Sequence, residues 1–262
     1  MNKPHEGRFL DGEGRLQQWP TKHKDQLLVL AYLATRFEYD VSYTEAEVNE
    51  VLKQWHTFSD WALLRRELFD REFLDRNLDG SNYRLKELPT GLPGLSLVRP
   101  NIEQDAPLAV EWLAGPSGRE TLRLMGSTDE HNKPSTLEDE RRRLRDFITS
   151  TSQITWMMRY EGRTVGVVWL RLDVTTHLSA PSIHLMIGDP GVRGRGIGAA
   201  AIRALIEQLK SDRRYEYLYS RYLTDNAGSA KLFKNAGFAE DGASYQDEDG
   251  LSFQNVKLRL KT

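Results

Sequence analysis

The chain has 262 residues, with 36 Lys and Arg against 38 Asp and Glu, a net charge of −2. No overall basic balance therefore draws it to nucleic acid or to an anionic membrane. There is no cysteine, which excludes a disulfide framework and thiolate chemistry, a cysteine nucleophile included. Hydrophobic residues make up 39%, enough for one or two cores. No apolar run approaches the roughly 20 residues of a bilayer span, and no apolar signal core follows the N-terminus, so a soluble cytoplasmic protein is expected.

Residues 1–20 are polar and glycine-rich and close with Trp19-Pro20. Leu27, Leu30, Ala31, Ala34 and Phe37 share one face of a helix over 21–37. A second helix begins at Thr44, which forms a capping box with Glu47. A third follows Ser59. Residues 73–76 and 83–85 then flank a turn at Asp79-Gly80 and read as a β-hairpin. Three helices and a hairpin are the order of a winged helix. Residues 1–90 hold 13 Lys and Arg against 16 Asp and Glu. Arg65 and Arg66 on the third helix have Glu67, Asp70 and Glu72 beside them, so strong duplex binding is not expected, though it stays open.

Prolines and glycines at 89–94 mark a boundary. This gives a winged-helix-like domain over 1–88, a linker over 89–94 and a second domain over 95–262. In the second, a strand at 95–98 and a helix at 105–113 precede a polar, irregular stretch at 115–134. A helix over 135–148 carries Arg141-Arg142-Arg143, a solvated face or a phosphate contact. Strands follow at 154–160 and 164–172.

Next comes a strand at 182–187, then Arg193-Gly194-Arg195-Gly196-Ile197-Gly198, then a helix to about Lys210. Glycine permits close backbone approach and positive φ, and free amides at a helix start bind anions, so this is a candidate pyrophosphate cradle. It lacks the Gly-Lys-Ser/Thr of a Walker loop. A strand at 217–223 leads to Asn226-Ala227-Gly228-Ser229-Ala230-Lys231-Leu232-Phe233-Lys234-Asn235-Ala236-Gly237-Phe238. Strands near 239–245 and 251–260 end the chain, joined by the acidic turn Asp247-Glu248-Asp249-Gly250.

The pattern Arg-x-x-Gly-x-Gly at Arg193, Gly196 and Gly198 resembles motif A of the GNAT acetyltransferases. The stretch from Asn226 to Phe238 resembles their motif B, in the right order and spacing. The words from His184 to Pro190 look most like the branch holding aminoglycoside 6′-N-acetyltransferases and ribosomal-protein N-terminal acetyltransferases. The resemblance implies an α+β chain whose second domain has the GNAT α/β fold, with a mixed, mostly antiparallel sheet. It implies acetyl-CoA as cosubstrate and direct transfer to a primary amine. Met186, Ile187, Gly188, Arg193, Gly194, Arg195, Gly196, Ile197, Gly198, Asn226, Ser229 and Phe233 are then the expected acetyl-CoA contacts. An amide near Ile187–Gly188 would polarise the thioester carbonyl.

The tyrosine that protonates the leaving thiolate in many relatives is replaced here by Phe233. Tyr219, Tyr222 or Tyr245 could substitute. His184 is a candidate base because it titrates near neutrality, with Asp173 and Asp189 as weaker ones. Trp112, Trp156, Trp169 and Tyr222 fit a core better than a binding cage. No metal site is expected, since His131, His177 and His184 are not clustered. The expected acceptor is a small cationic amine, suggested by the acidic turn and the family branch. Protein N-termini and a degenerate sensing module remain alternatives. A second copy of the chain is a further expected partner, and a membrane is not.

Residues 8–86 also resemble an uncharacterised bacterial domain often found behind ArsR-type regulators. The matching words are Trp19-Pro20, Tyr43-Thr44-Glu45 and the run from His56 to Leu68.

Overall fold

The computed structural model describes residues 8–128, 134–212 and 214–261. His131 lies outside them, as does part of the 115–134 stretch. Two compact units divide the described residues. One takes the chain up to Glu87 with Arg99–Asn101 and Leu144–Ser150; the other takes Leu88–Val98, Ile102–Arg143 and the chain from Thr151 onward.

The first unit contains α1 (His23–Ala34), β1 (Tyr43–Thr44), α2 (Glu45–Gln54), α3 (Trp61–Asp70), β2 (Leu74–Arg76) and β3 (Asn82–Leu85). Its sheet has the order β1-β3-β2 and is antiparallel, so the expected hairpin gains a third strand. α2 starts where Thr44 makes it start. The Thr44 hydroxyl accepts the Glu47 N–H, and the Glu47 carboxylate accepts the Thr44 N–H at 2.7 Å. Asp60 caps α3 in the same way through the Leu63 N–H. Leu30, Leu33, Val48, Leu52, Leu64 and Leu68 form a fully buried centre. Burying each contributes about 1.5–3 kcal/mol. Arg65 is not a free cation, because it bonds Asn49 and pairs with Glu45 at 3.0 Å.

The second unit opens at Leu88 within β4 (Glu87–Pro89) and continues to β5 (Leu95–Val98), neighbours in one sheet. The stretch expected as a linker is thus a tight turn between two strands, closed by the Thr90 hydroxyl donating to the Leu95 carbonyl at 2.9 Å. Then come α4 (Ile102–Leu113), α5 (Gly115–Leu124), α6 (Leu137–Thr149, counted with the first unit from Leu144 onward), β6 (Gln153–Tyr160), β7 (Arg163–Arg171) and β8 (Ser182–Ile187). The chain closes with α7 (Ile197–Asp212), β9 (Tyr217–Leu223), α8 (Ala227–Asn235), β10 (Ala239–Glu240), β11 (Tyr245–Gln246) and β12 (Ser252–Arg259). The sheet runs β10-β12-β9-β8-β7-β6-β5-β4, with β11 also on β12.

α5 corrects the irregular stretch expected from Gly115. Its composition hides a helix that starts with Pro116 in the first turn, where a missing N–H costs nothing. Gly118 packs so close that a Cβ there would lie 2.1 Å from the Leu113 backbone. Residues 239–245, expected as one strand, split into β10 and β11 around Gly242, which has φ 83°. The arginine run on α6 is a solvated, self-neutralised face. Arg141 pairs with Glu103, Arg142 with Asp139 and Arg143 with Glu140. Among the described residues no helix is long and apolar enough to cross a membrane.

One face of the sheet carries the core. Ile183 on β8, Leu218 on β9 and Val256 on β12 pack against Ile197, Ala201, Ile202 and Leu205 of α7. The opposite face at its centre carries Trp169, Arg171, His184, Arg221 and Asn255, and is more polar than the core face.

Candidate active site

Two parts of the second unit meet at β8. The first is built from backbone. β8 and β9 are parallel, but their register is limited to Ser182↔Tyr219. Two bonds accompany that pair: Tyr219 N–H to the Pro181 carbonyl at 2.9 Å, and the Ser220 hydroxyl to the Ile183 carbonyl at 2.7 Å. β7 holds the other edge of β8 through Ile187. There Gly188 and Asp189 both donate to the Val165 carbonyl, at 3.0 and 3.1 Å. Antiparallel pairs alternate, so the peptide groups of Leu185 and Ile187 turn away from β7 toward β9, where no strand pairs with them. This refines the expected oxyanion donor. The Gly188 N–H is committed to Val165, and the Ile187 N–H faces the open edge. A Cβ on Gly188 would sit 2.1 Å from the Trp112 ring, so that glycine serves close packing.

The open edge leads into the glycine loop. Gly194 and Gly196 have φ of 79° and 82°, and a Cβ on either would meet nothing within 4 Å. α7 makes its first bond from the Ala200 N–H to the Gly196 carbonyl, leaving the preceding amides of its first turn without intrahelical partners. Gly198 lets α7 close on β8, for a Cβ there would lie 2.9 Å from Leu185 Cδ1. A backbone concavity with open space above it and the positive end of a 16-residue helix behind it fits a pyrophosphate. Gly194, Gly196, Ile197 and Gly198 would hold it through their amides, with the exposed Arg195 beside them.

Other expected contacts fall elsewhere. The Arg193 guanidinium bonds the Ile187 carbonyl at 3.0 Å and the Thr121 hydroxyl at 2.8 Å, so it ties the loop to β8 and α5. α5 is tied again by Arg123, which reaches Asp225 at 2.7 Å. No sequence signal points to Thr121 or Arg123, because the composition of α5 reads as irregular. Asn226 caps α8 by accepting the Ser229 N–H at 3.0 Å. Phe233 is 3% exposed and packs against Phe238, which makes it core. Tyr222 stacks on it with centroids 6.3 Å apart. Burial, then Glu240, raises the Tyr222 phenol above its ordinary pKa, so it stays protonated.

The second part is built from side chains on the polar sheet face. His184 stacks on Trp169 at 5.4 Å, and its Nε2 lies 3.0 Å from the Ser182 hydroxyl. Burial, then the charges of Arg221 and Arg171, push its pKa down to about 4. His184 is therefore neutral and a weak base, rather than one poised near neutrality. Asp173 is held by Arg171 at 2.9 Å, and that hydrogen bond lowers its pKa, so it fits a counter-ion better than a proton acceptor. Met186 lies on the same face as His184, opposite Val167. His177 and Tyr245 stack at 5.3 Å beside Phe253. Asp189 caps its own turn through the Gly191 N–H. A cleft of about 640 Å³ opens at the end of β8, lined by Leu108, Glu111, Trp112, Arg163, Gly188 and Asp189. Among the described residues, no group of three or more His, Asp and Glu side chains could hold a metal ion.

The sequence profile of an uncharacterised family conserved in bacteria, DUF2087, matches residues 15–85. That of the GNAT acetyltransferase domain matches residues 95–239. No curated protein matches the chain. Among solved structures, the microcin C7 self-immunity acetyltransferase MccE, in complex with acetyl-CoA and AMP, is 15% identical. It aligns over 64% of this chain and 93% of its own, with a TM-score of 0.53. The ribosomal L7/L12 alpha-N-protein acetyltransferase RimL, in complex with coenzyme A, is 14% identical over 66% of this chain and 98% of its own, with a TM-score of 0.55. A GNAT acetyltransferase from Bacillus anthracis is 12% identical over 63% and 95%, with a TM-score of 0.53. These likenesses establish the fold. The profile match covers more than half of the chain, which therefore belongs to the GNAT acetyltransferase family and is an N-acetyltransferase that uses acetyl-CoA.

Proposed function

We propose that the chain transfers the acetyl group directly from acetyl-CoA to the neutral form of a primary amine on a small molecule. The observation that carries this is the open edge of β8 at Leu185–Ile187, running into the amides of the 194–198 loop. An extended pantetheine arm can pair along that edge as a strand would. The Ile187 N–H then faces the thioester carbonyl and stabilises the charge that grows on its oxygen. The amine nitrogen bonds to the carbonyl carbon, the C–S bond breaks, and sulfur leaves with the electron pair. Tyr222, protonated and stacked on Phe233, is the donor we assign to the leaving sulfur. The proton shed by the attacking amine passes to solvent, and Tyr222 takes one back from solvent after protonating the sulfur, so the turnover yields the amide and the free thiol with no net proton change. His184, with a pKa of about 4, holds no proton at neutral pH and so adds no positive charge to the face that carries it.

Free-thiol release from acetyl-CoA over a panel of amines tests this. Wild type should turn over, and Tyr222→Phe should lower kcat by about 10–100-fold with acetyl-CoA binding unchanged. An unaltered kcat in that variant removes Tyr222 from the role. Failure of wild type to bind acetyl-CoA defeats the whole reading. Turnover of peptide N-termini and of no free amine would shift the acceptor to proteins.

For the first unit we propose a role in protein contact rather than duplex binding. Arg65 is spent on Asn49 and Glu45, so α3 offers less positive charge than its sequence suggests. Submicromolar, steeply salt-dependent binding of the chain to random duplex would reverse this.

A further inference from the structure

The polar face of the sheet carries two arginines near His184, and they are not equivalent. Arg171 donates to both Asp173 oxygens from one guanidinium edge, Nη2 at 2.9 and Nε at 3.3 Å, so its charge is neutralised. Arg221 on β9 has no carboxylate partner among the described residues. Its Nη1 donates to the Tyr245 hydroxyl at 3.1 Å, and its Cζ lies 4.2 Å from the centre of the Phe253 ring. These contacts hold the guanidinium in place and leave its charge uncompensated.

Directly across the β9–β12 ladder from Arg221 stands Asn255. Its Nδ2 donates to the His177 carbonyl at 2.8 Å, which fixes the amide. Its Oδ1 is buried with no hydrogen-bond partner. Leaving a buried polar atom unpaired is costly, and such a cost points to a partner that arrives from outside. The pair thus presents one positive fork and one unmet acceptor, side by side. Tyr245, Phe253 and His177 stack around them.

We propose that the acceptor is an amine that also bears an anionic group. Arg221 takes the anion as a bidentate partner, and Asn255 Oδ1 accepts an N–H from the same molecule. The inference rests on the acetyltransferase reading above and names its substrate class. It replaces the cationic acceptor expected from the turn at Asp247, whose carboxylate caps its own turn through the Asp249 and Leu251 N–H groups. A cation would meet the charge of Arg221 without a counter-ion. An amino acid, with a carboxylate close to its amine, has the required composition. A phosphate monoester amine offers the same chemistry to the guanidinium.

The test uses the full chain and paired acceptors. Amino acids are compared with their amides, phosphoethanolamine with ethanolamine, and both pairs with spermidine, at matched concentrations of neutral amine. Anionic acceptors should exceed their uncharged counterparts by about tenfold or more in kcat/KM. Whether the carboxylate or the phosphate pair shows the larger ratio identifies the anion. Arg221→Gln should abolish the ratio while calorimetry shows acetyl-CoA bound as in wild type, and Arg221→Lys should restore part of it. A preference for spermidine or for the uncharged members overturns the inference, as does a ratio that survives Arg221→Gln. Loss of acetyl-CoA binding in wild type would instead defeat the underlying acetyltransferase reading.

Discussion

The proposed cosubstrate half of the candidate site and its proposed acceptor half are made of different materials. The first is backbone: the open edge of β8, two glycines at positive φ and the first turn of α7. The second is side chains: Trp169, His184, Arg221, Tyr245, Phe253 and Asn255, drawn from β7, β8, β9, β11 and β12. A backbone site constrains which residues can be present, chiefly by demanding glycine. A side-chain site constrains only where residues end up after the strands have paired. The first half should therefore fail abruptly when a side chain is added. The second should change by degrees, with charge and with pH.

The largest expected effect breaks the backbone half. Gly196→Glu puts a side chain at φ 82° and a negative charge where a pyrophosphate is expected. Strain of about 1–2 kcal/mol adds to steric and charge exclusion, and calorimetry should show acetyl-CoA affinity falling by about 100-fold or more. Binding within a few-fold of wild type would mean that the loop is not the cradle.

The next effect sharpens the side-chain half. His184 has a folded pKa of about 4 against an ordinary value of 6.5, so the unfolded chain binds the extra proton between those values. Stability should be intact above pH 6.5 and should decline as the pH falls toward 4, by of order 2 kcal/mol from this group after screening. Denaturant unfolding should show that decline in wild type and a flatter profile in His184→Gln. Equal slopes would mean that the imidazole is not desolvated.

The smallest effect concerns the neutralised arginine. Asp173→Asn releases Arg171 as a second uncompensated cation on the acceptor face. KM for an anionic acceptor should fall a few-fold, with stability essentially unchanged because the pair is exposed. An unchanged KM would confine anion recognition to Arg221.

The same difference in material explains what could be read from the chain. Arg193, Gly196 and Gly198 are close in sequence and their residue types are forced, so a candidate cradle is legible there, although Arg193 bridges β8 and α5. Arg221 and Asn255 lie far apart in sequence, and nothing in either neighbourhood marks them. They meet because β12 folds back along β9 in one register. α5 was missed for a local reason. Glycine, proline and serine at its start read as loop, yet Pro116 suits a first turn and Gly118 suits a close crossing. That Phe233 has no hydroxyl to donate is plain from its residue type, whereas Tyr222 stacked on it is visible only in the structure.

The single register pair between β8 and β9 has a thermodynamic consequence. Backbone hydrogen bonding joins β4–β8 to β9–β12 at one end of the junction and lapses at the other. On the proposed reading, acetyl-CoA supplies the missing rungs, so the ligand acts as a removable part of the sheet. Anything that binds the folded state alone stabilises it in proportion to the logarithm of its concentration, by about 2.7 kcal/mol at a hundredfold excess over Kd. The melting temperature of the second unit would then follow the supply of acetyl-CoA, and the enzyme would persist longest when its own substrate is abundant.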